Sequence, residues 1–325
     1  MGAGLADGGR GRNAPRRDAL TLRTQARPLL IWLAKLLVTL FLLWLTLRKI
    51  PVHGIQAALV QVHLALAALS LGIFLCGSLF VEPARLAFAS RLLAEPQPTF
   101  ATWVRIFLES RPFYFVLPGS VAAEGMVWLR LRELHWRHAS CAFVVLCTRI
   151  WGVGTWGLAA AYALTFPKGS GLVLAQAPSW MRSPTPWALG GFLAAASACL
   201  APLLARRYWN LPLVTGRVGP TIAMILSSIL SALIVTVGVQ VASMAAGTPL
   251  PLHSALGLMA LFNFAMIVPV SLGGFGLQEA LILALGTGMG YPAPALVAFS
   301  ALIHAQRLLL SLLGLALFLA ARRIP

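Results

Sequence analysis

Two glycine-containing interruptions in an otherwise apolar chain place carboxylates where they could help to bind an anionic group. Residues 268–280 read VPVSLGGFGLQEA and include Glu279, whereas residues 116–125 read VLPGSVAAEG and include Glu124. Where a helix resumes after such a break, it presents unpaired backbone N–H groups and the positive end of its dipole. Glycine allows a ligand to approach the backbone closely, and serine hydroxyls can donate to it. The other candidate ligands at the two breaks are Ser120, Ser271, Gly273, Gly274 and Gly276.

Basic residues inside the apolar runs are natural partners for such an anion. Arg149 and Arg307 would be costly in hydrocarbon, so they should face the protein interior or a water-filled cavity, each near an acidic residue. We hypothesise that these two arginines bind a phosphate, and that Glu124 and Glu279 contact them when the site is empty. Arg111, just before the first break, belongs to the same candidate site. Arg307 also lies on a polar stripe at helical spacing. The stripe consists of Ser300, His304, Arg307 and Ser311.

Two structural alternatives stay open for these residues. The glutamates could cap helices or tie helices together without touching a ligand. His304 could carry protons as part of the candidate site, or it could be a hydrogen-bonded interior histidine.

The composition is that of a polytopic membrane protein. Of the 325 residues, 59% are hydrophobic and 10% are charged, and the mean hydropathy is +0.85. The apolar runs are long and do not alternate, so helices are predicted to cross the membrane. No aspartate follows Asp18, which argues against an aspartate-rich Mg²⁺ site. We expect no metal and no cofactor. The formal charge of +17 fits basic loops that face anionic lipid heads, and the scattered arginines do not indicate nucleic-acid binding.

The membrane segments are predicted from runs of about 20 apolar residues. Residues 1–28 form a basic, disordered cytoplasmic tail, and residues 29–325 form a single membrane domain. The six predicted spans are residues 29–47, 57–81, 140–166, 187–205, 221–246 and 293–320. Residues 100–131 and 253–290 are interrupted by Pro, Gly or charged residues, and we interpret them as re-entrant hairpins. Two kinked ordinary helices are the alternative.

The order of these segments predicts an inverted repeat. Span, span, hairpin, span occurs once within 29–166 and again within 187–320, with three crossings in each half. An odd number of crossings inverts the second half, so the two hairpin tips would meet near the midplane. In this layout, most of the 25 Lys and Arg residues lie on the same side of the membrane as the N-terminus. Because basic residues collect on the cytoplasmic side, both termini are predicted to be cytoplasmic. The layout puts Arg85 in a cytoplasmic loop.

The two interrupted stretches and the span around Arg149 resemble the lysylphosphatidylglycerol synthase transmembrane-region family of flippase-like membrane proteins. Proteins of that family commonly carry a Pro-x-Ser-x-Gly-Gly-x-Gly-x-x-Glu element. This chain matches the element with Pro269, Ser271, Gly273, Gly274, Gly276 and Glu279. The resemblance implies a domain of the bacterial inner membrane that moves polar lipids, such as aminoacyl-phosphatidylglycerol, between leaflets. It also implies a separately encoded synthase or glycosyltransferase as a possible partner, because the sequence stops soon after the last predicted span.

We therefore predict a lipid translocase that works by alternating access rather than an enzyme. Its substrate would be a polar lipid with an anionic or phosphate-containing headgroup. Two other functions stay open. One is a membrane-embedded lipid-modifying enzyme that uses Glu279 or His304 as a base, although no nucleophile and base pair is evident. The other is a non-transporting partner of a glycosyltransferase or synthase.

Overall fold

Helices make up the folded part of this chain. A computed structural model describes residues 33–116, 121–164, 218–265 and 272–321, and these residues form helices and no strand. The predicted all-helical class is therefore confirmed for these residues. The helices are α1 Leu33–Leu47, α2 Val52–Val60, α3 Leu64–Ser90, α4 Phe100–Ser110, α5 Phe113–Val116, α6 Val121–Glu133, α7 His138–Leu164, α8 Val218–Ala245, α9 Leu252–Ala265, α10 Leu277–Gly288 and α11 Ala293–Ala321.

Four helices, α3, α7, α8 and α11, are long and apolar enough to cross a membrane. Each contains at least 26 residues, and their most apolar windows have mean hydropathies between 1.4 and 2.4. Large apolar side chains point outward from them, such as Leu233 (52% exposed) and Leu312 (62%). A surface of this kind is stable in lipid, so the chain is a membrane protein. The bounds of α7, α8 and α11 agree closely with three predicted spans, whereas the predicted span 187–205 lies outside the described residues.

The predicted span 57–81 was wrong in its bounds. The helix α2 ends at Val60, and α3 begins at Leu64 and continues to Ser90. A π-helical turn over Gly77–Val81 precedes Pro83, and this wider turn accommodates a proline that would otherwise clash with the preceding turn. The charged residues that follow, Glu82 and Arg85, form an ion pair of 2.6 Å on the same helix. The charges therefore do not end the helix.

The two regions that sequence analysis found interrupted each contain a pair of short helices in contact, and the first also contains the four-residue helix α5. The helices α4 and α6 contact each other, as do α9 and α10. Each of the four has 11 to 14 residues, which is shorter than a membrane crossing. Buried Glu109 ties the first pair together, because it contacts Arg105 of α4 at 2.8 Å and Arg130 of α6 at 2.7 Å. Between the paired helices, residues 117–120 and 266–271 lie outside the described residues.

The long helices α3 and α8 cross at a point where small residues allow close approach. A Cβ atom on Gly77 of α3 would lie 2.8 Å from Ile234 of α8, and one on Gly238 of α8 would lie 3.4 Å from Ile73 of α3. At the same crossing, the Ser70 hydroxyl donates to the Gly238 carbonyl at 2.7 Å. Each helix thus fits an isoleucine into the groove beside the other's glycine, as is typical of close membrane helix packing.

The short helices of one part of the chain pack against the long helices of the other. The helix α4 contacts α11, and α9 contacts α7. In addition, α6 contacts α7, and α10 contacts α11. Buried apolar side chains form two clusters. One is built mainly from α3, α4, α6 and α7, and the other from α8 to α11. A polar cavity lies between these packed groups.

Candidate functional site

The cavity is lined by residues from most of the helices and contains several charged side chains. Its volume is about 320 Å³, which is at the small end of the range of about 300–1,000 Å³ for ligand pockets. The charged lining residues are Glu82, Arg85, Arg111, Glu124, Arg149 and Arg307. Four guanidinium groups and two carboxylates give this lining a formal charge of +2. The cavity therefore favours anions over cations.

The carboxylate of Glu124 lies in the first turn of α6 and forms an ion pair with Arg149 of α7. Each side chain is 30% exposed, and both line the cavity. Arg149 lies well inside its apolar helix, so it would be unstable without a carboxylate or a polar cavity beside it. The predicted contact between Arg149 and a glutamate is confirmed.

The second carboxylate of the cavity, Glu82, is also in contact with an arginine. Arg85, one turn further along α3, donates to it at 2.6 Å, and the Ser231 hydroxyl of α8 donates to its other oxygen. The prediction that Arg85 lies in a cytoplasmic loop was wrong. Because α3 continues through the π-helical turn, Arg85 faces the cavity instead.

The other two arginines, Arg111 and Arg307, have neutral partners. The guanidinium of Arg111 lies 3.8 Å from the centre of the Phe107 ring. Arg307 donates to the amide oxygen of Gln278 at 2.7 Å, and its guanidinium lies 4.5 Å from the Phe262 ring centre. In the described part of the chain, neither arginine has a carboxylate oxygen within 4.0 Å. The predicted direct contact between Arg307 and a glutamate is not found among the described residues, and Glu279 acts on Arg307 only from beyond ion-pair distance.

The remaining glutamates of the chain are engaged outside the cavity lining. The chain has only six glutamates, and its two aspartates precede residue 19. Four glutamates do not line the cavity. Glu95 contacts Ser140, Glu109 contacts Arg105 and Arg130, Glu133 contacts Arg130, and Glu279 contacts His304. Each glutamate that does not line the cavity thus contacts a local partner. Among the described residues, Arg111 and Arg307 form no ion pair, so their guanidinium groups are available to an anionic ligand.

The glycine-rich turn before α10 is held by backbone geometry and by α1. Gly276 has a φ of +80°, and a Cβ atom there would lie 2.6 Å from Leu42 of α1. Gly273 has a φ of +58°, and a Cβ atom there would lie 2.6 Å from the Phe115 ring. Only glycine fits both the left-handed backbone and the close neighbours. The hydroxyl of Thr39 on α1 accepts from the Leu272 N–H at 2.9 Å, so α1 fixes the start of the turn.

Glu279 caps the helix that follows this turn. Its Oε2 accepts from the Gly276 N–H at 2.6 Å, and its Oε1 accepts from the Ser300 hydroxyl at 3.1 Å. The same Oε1 lies 2.7 Å from Nε2 of His304, although the ring nitrogen is not aligned as a hydrogen-bond donor. The Phe275 ring stacks on the His304 ring at 4.0 Å. Glu279 and His304 are buried, and neither lines the cavity.

Gln278 connects this buried group to the cavity. Its amide nitrogen lies 3.4 Å from the Ser300 hydroxyl, and its amide oxygen accepts from Arg307. Ser300 in turn donates to Glu279, so the capped turn holds the residue that orients Arg307. Sequence analysis did not include Gln278, although its position directly before Glu279 was a signal. It also missed Glu82 and Arg85 as cavity residues, because the predicted span ended at residue 81 and both fell outside it.

The predicted site residues fall into two groups. Arg111, Glu124, Arg149 and Arg307 come together around the cavity. Glu279, His304 and the glycines Gly273, Gly274 and Gly276 form the buried turn behind Arg307. Ser120 and Ser271 lie outside the described residues. The predicted polar stripe of α11 faces inward, because all four of its residues make polar contacts within the protein.

Comparison with known proteins adds no family assignment. No protein-family model matches the chain, and no curated protein matches it. In the described residues, no group of three or more His, Cys, Asp or Glu side chains is arranged to hold a metal ion. The function must be argued from the electropositive cavity itself.

Proposed function

We propose that this protein is a translocase that moves a polar lipid with an anionic headgroup between the leaflets of a bacterial inner membrane. The observation that carries the proposal is the cavity, which places four arginines and two glutamates inside a bundle of apolar helices. Charged residues at such a depth are costly and usually mark the path of a polar substrate. The proposal includes membership of the flippase-like family that the sequence resembles.

The size of the cavity supports a headgroup as the ligand. A volume of about 320 Å³ holds a small polar group but not two acyl chains. The tails would stay in the bilayer while the headgroup moves through the protein, so the energetic cost of exposing them to water is avoided.

The packing of the helices supports an inverted repeat, which many alternating-access transporters contain. The short helices α4 and α9 each pack on the last long helix of the opposite half, α11 and α7. The crossing of α3 and α8 is reciprocal, because Ile73 fits Gly238 as Ile234 fits Gly77. In this proposal, α4/α6 and α9/α10 are re-entrant hairpins among six spans, and both termini are cytoplasmic.

The same correspondence between the two halves relates two acidic residues and their partners. Glu124 contacts Arg149, which follows it by 25 positions. Glu279 contacts His304, which follows it by the same interval. Each glutamate lies in the first turn of the second helix of a hairpin, and each partner lies on the next long helix. This correspondence supports two structurally related halves.

The two pairs differ in exposure, which fits one state of an alternating cycle. Glu124 and Arg149 are each 30% exposed at the cavity, whereas Glu279 and His304 are 8% and 6% exposed beneath Phe275. In the proposed cycle, the second pair becomes accessible when the halves rock and the first pair closes. A lipid-modifying enzyme is less well supported, because its candidate bases Glu279 and His304 do not line the cavity.

Reconstitution tests this function. Purified protein is placed in vesicles with acyl-labelled phosphatidylglycerol, and an impermeant quencher reports the lipid in the outer leaflet. Faster loss of protected lipid than in protein-free vesicles, with the lipid chemically unchanged, is the expected result. A new lipid product would support an enzyme instead. If the lipid neither moves nor changes chemically, the result would support a partner of a synthase or glycosyltransferase and overturn the translocase.

A further inference from the structure

We infer that the cavity selects headgroups of net negative charge and discriminates against headgroups that carry ammonium groups. This inference rests on the proposed lipid translocation and specifies its substrate. It departs from what the family resemblance implies, because an aminoacyl-phosphatidylglycerol such as the lysyl lipid carries ammonium groups that outnumber its phosphate charge.

Arg111 and Arg307, which form no ion pair with a described carboxylate, lie near the contact between α11 and the end of α4. The Ser311 hydroxyl of α11 donates to the Arg111 carbonyl at 3.3 Å, and Arg307 lies one turn before Ser311 on the same helix. A Cβ atom on Gly314, in the next turn, would lie 2.0 Å from the Leu108 carbonyl oxygen, so α11 and the end of α4 are in close contact. This packing places the backbone of Arg111 beside α11, and both arginines line the cavity.

Aromatic rings hold both guanidinium groups at the cavity. Each guanidinium lies over an aromatic ring, Phe107 for Arg111 and Phe262 for Arg307. A ring face stabilises the positive charge but uses none of the in-plane N–H donors. Arg111 Nε donates to the Phe107 carbonyl at 3.4 Å, and one N–H of Arg307 donates to Gln278, so the other donors of each guanidinium can bind phosphate oxygens, for which the planar group has matching geometry.

An ammonium group would need a carboxylate as its partner, and both carboxylates of the cavity already contact arginines. Glu82 already contacts Arg85 and Ser231, and Glu124 already contacts Arg149. An ammonium group in the cavity would therefore meet two carboxylates whose charges are already balanced by arginines, and it would be repelled by the two further arginines of the lining.

The cavity thus predicts an order among lipids that share one phosphate. Phosphatidylglycerol brings a negative charge and only hydroxyls, for which the neutral polar lining residues Thr155, Ser228 and Asn263 are suitable neighbours. Phosphatidylethanolamine adds one ammonium group, and lysyl-phosphatidylglycerol adds a second. We therefore expect phosphatidylglycerol to bind best and the lysyl lipid to bind worst.

The test measures lipid binding separately from transport. Detergent-purified protein is titrated with short-chain forms of the three lipids, and the thermal unfolding midpoint is followed. We expect half-saturation by phosphatidylglycerol at a concentration about tenfold or more below that for the lysyl lipid, since the ammonium groups of the lysyl lipid would lie in a cavity whose lining has a formal charge of +2. Arg111→Gln and Arg307→Gln should each reduce this ratio, whereas exposed Arg48→Gln should preserve it.

A further variant keeps the test valid if an arginine substitution prevents folding. Gln278→Glu leaves both arginines in place but puts a carboxylate where the amide now accepts from Arg307, so the preference for phosphatidylglycerol should fall. Equal or tighter binding of the lysyl lipid by the wild type would overturn the inference while leaving translocation intact. Binding of phosphatidylglycerol in the expected order without its movement in vesicles would instead overturn the proposed function.

Soluble anions provide the last arm of the experiment. Glycerol phosphate should stabilise the protein only at concentrations far above those of phosphatidylglycerol, because it lacks the acyl chains that keep the lipid at the bundle. Stabilisation at the same concentration as the lipid would assign the site to a soluble phosphate compound and overturn the lipid headgroup as its ligand.

Discussion

Glu279 and His304 contact each other across α10 and α11, with 2.7 Å between Oε1 and Nε2. Their pair lies behind the cavity rather than in it, and the carboxylate caps the glycine-rich turn through the Gly276 N–H. The glutamate that the sequence marks most clearly therefore acts on the ligand site indirectly. It stabilises the turn that carries Gln278, and Gln278 holds Arg307.

Neutralising Glu279 should reduce stability more than it changes headgroup preference. Glu279→Gln weakens a charge-assisted hydrogen bond to a backbone N–H and the contact with His304, at a cost of about 1.5–3 kcal/mol. The thermal midpoint in detergent should fall, while the ratio of phosphatidylglycerol to lysyl-lipid binding stays near that of the wild type. A normal midpoint combined with complete loss of lipid binding would show that Glu279 contacts the ligand directly.

A methyl group at Gly276 should destabilise the fold. Gly276→Ala forces alanine into a left-handed backbone, which costs about 1–2 kcal/mol, and also clashes with Leu42 of α1. The matched control is Gly72→Ala on α3, where a Cβ atom has no neighbour within 4 Å. The control should be neutral or slightly stabilising, because alanine favours helix. Equal thermal midpoints for the two variants would contradict the geometry of the turn.

The pair Glu124 and Arg149 should show strong coupling. Arg149→Gln removes the cation that contacts Glu124, and Glu124→Gln removes the anion that contacts Arg149, so each single change should cost about 1–3 kcal/mol, less than for a fully buried pair because both side chains are 30% exposed. The double variant removes both charges and should be less destabilised than the sum of the two. Additive losses of unfolding free energy would show that the contact contributes little.

Removing the amide that holds Arg307 should weaken lipid binding at modest cost to stability. Gln278→Met keeps the side-chain length but removes the acceptor for Arg307, and a hydrogen bond of this kind is worth about 0.5–1.5 kcal/mol. The control is Gln306→Met on the next helix, where the amide donates to Ser70 at 2.8 Å away from the cavity lining. Both variants should lose similar stability, but only Gln278→Met should raise the phosphatidylglycerol concentration needed for half-saturation. Equal effects of both variants on lipid binding would remove the positioning role of Gln278.

Much of the architecture followed from hydropathy and spacing alone. The helices α7, α8 and α11 were located to within a few residues because their apolar runs are long and uninterrupted. The inward face of α11 followed from the helical spacing of Ser300, His304 and Arg307. The end of α3 was missed because Pro83 and two charges normally end a span, and only the structure reveals the π-helical turn that absorbs the proline.

The charge arrangement of the cavity could be predicted only in part. The depth of Arg149 in an apolar run required a counter-charge, and Glu124 supplies it. The partner of Arg307 could not be derived in this way, since Gln278 and Glu279 are adjacent and only the direction of each side chain decides which one meets the arginine. Glu82 reaches the cavity through packing between distant helices, which sequence spacing does not encode, whereas Arg111 was placed in the site by its position just before the first break.

The most direct test of a lipid translocase with an arginine-lined cavity is the rate at which phosphatidylglycerol changes leaflet in reconstituted vesicles. Wild-type protein and the exposed control Arg48→Gln should move the labelled lipid at equal rates, well above the rate in protein-free vesicles. Arg307→Gln, recovered folded and at the same density, should be slower by about tenfold or more. Equal rates for Arg307→Gln and the wild type, or no movement by any of them, would contradict the account.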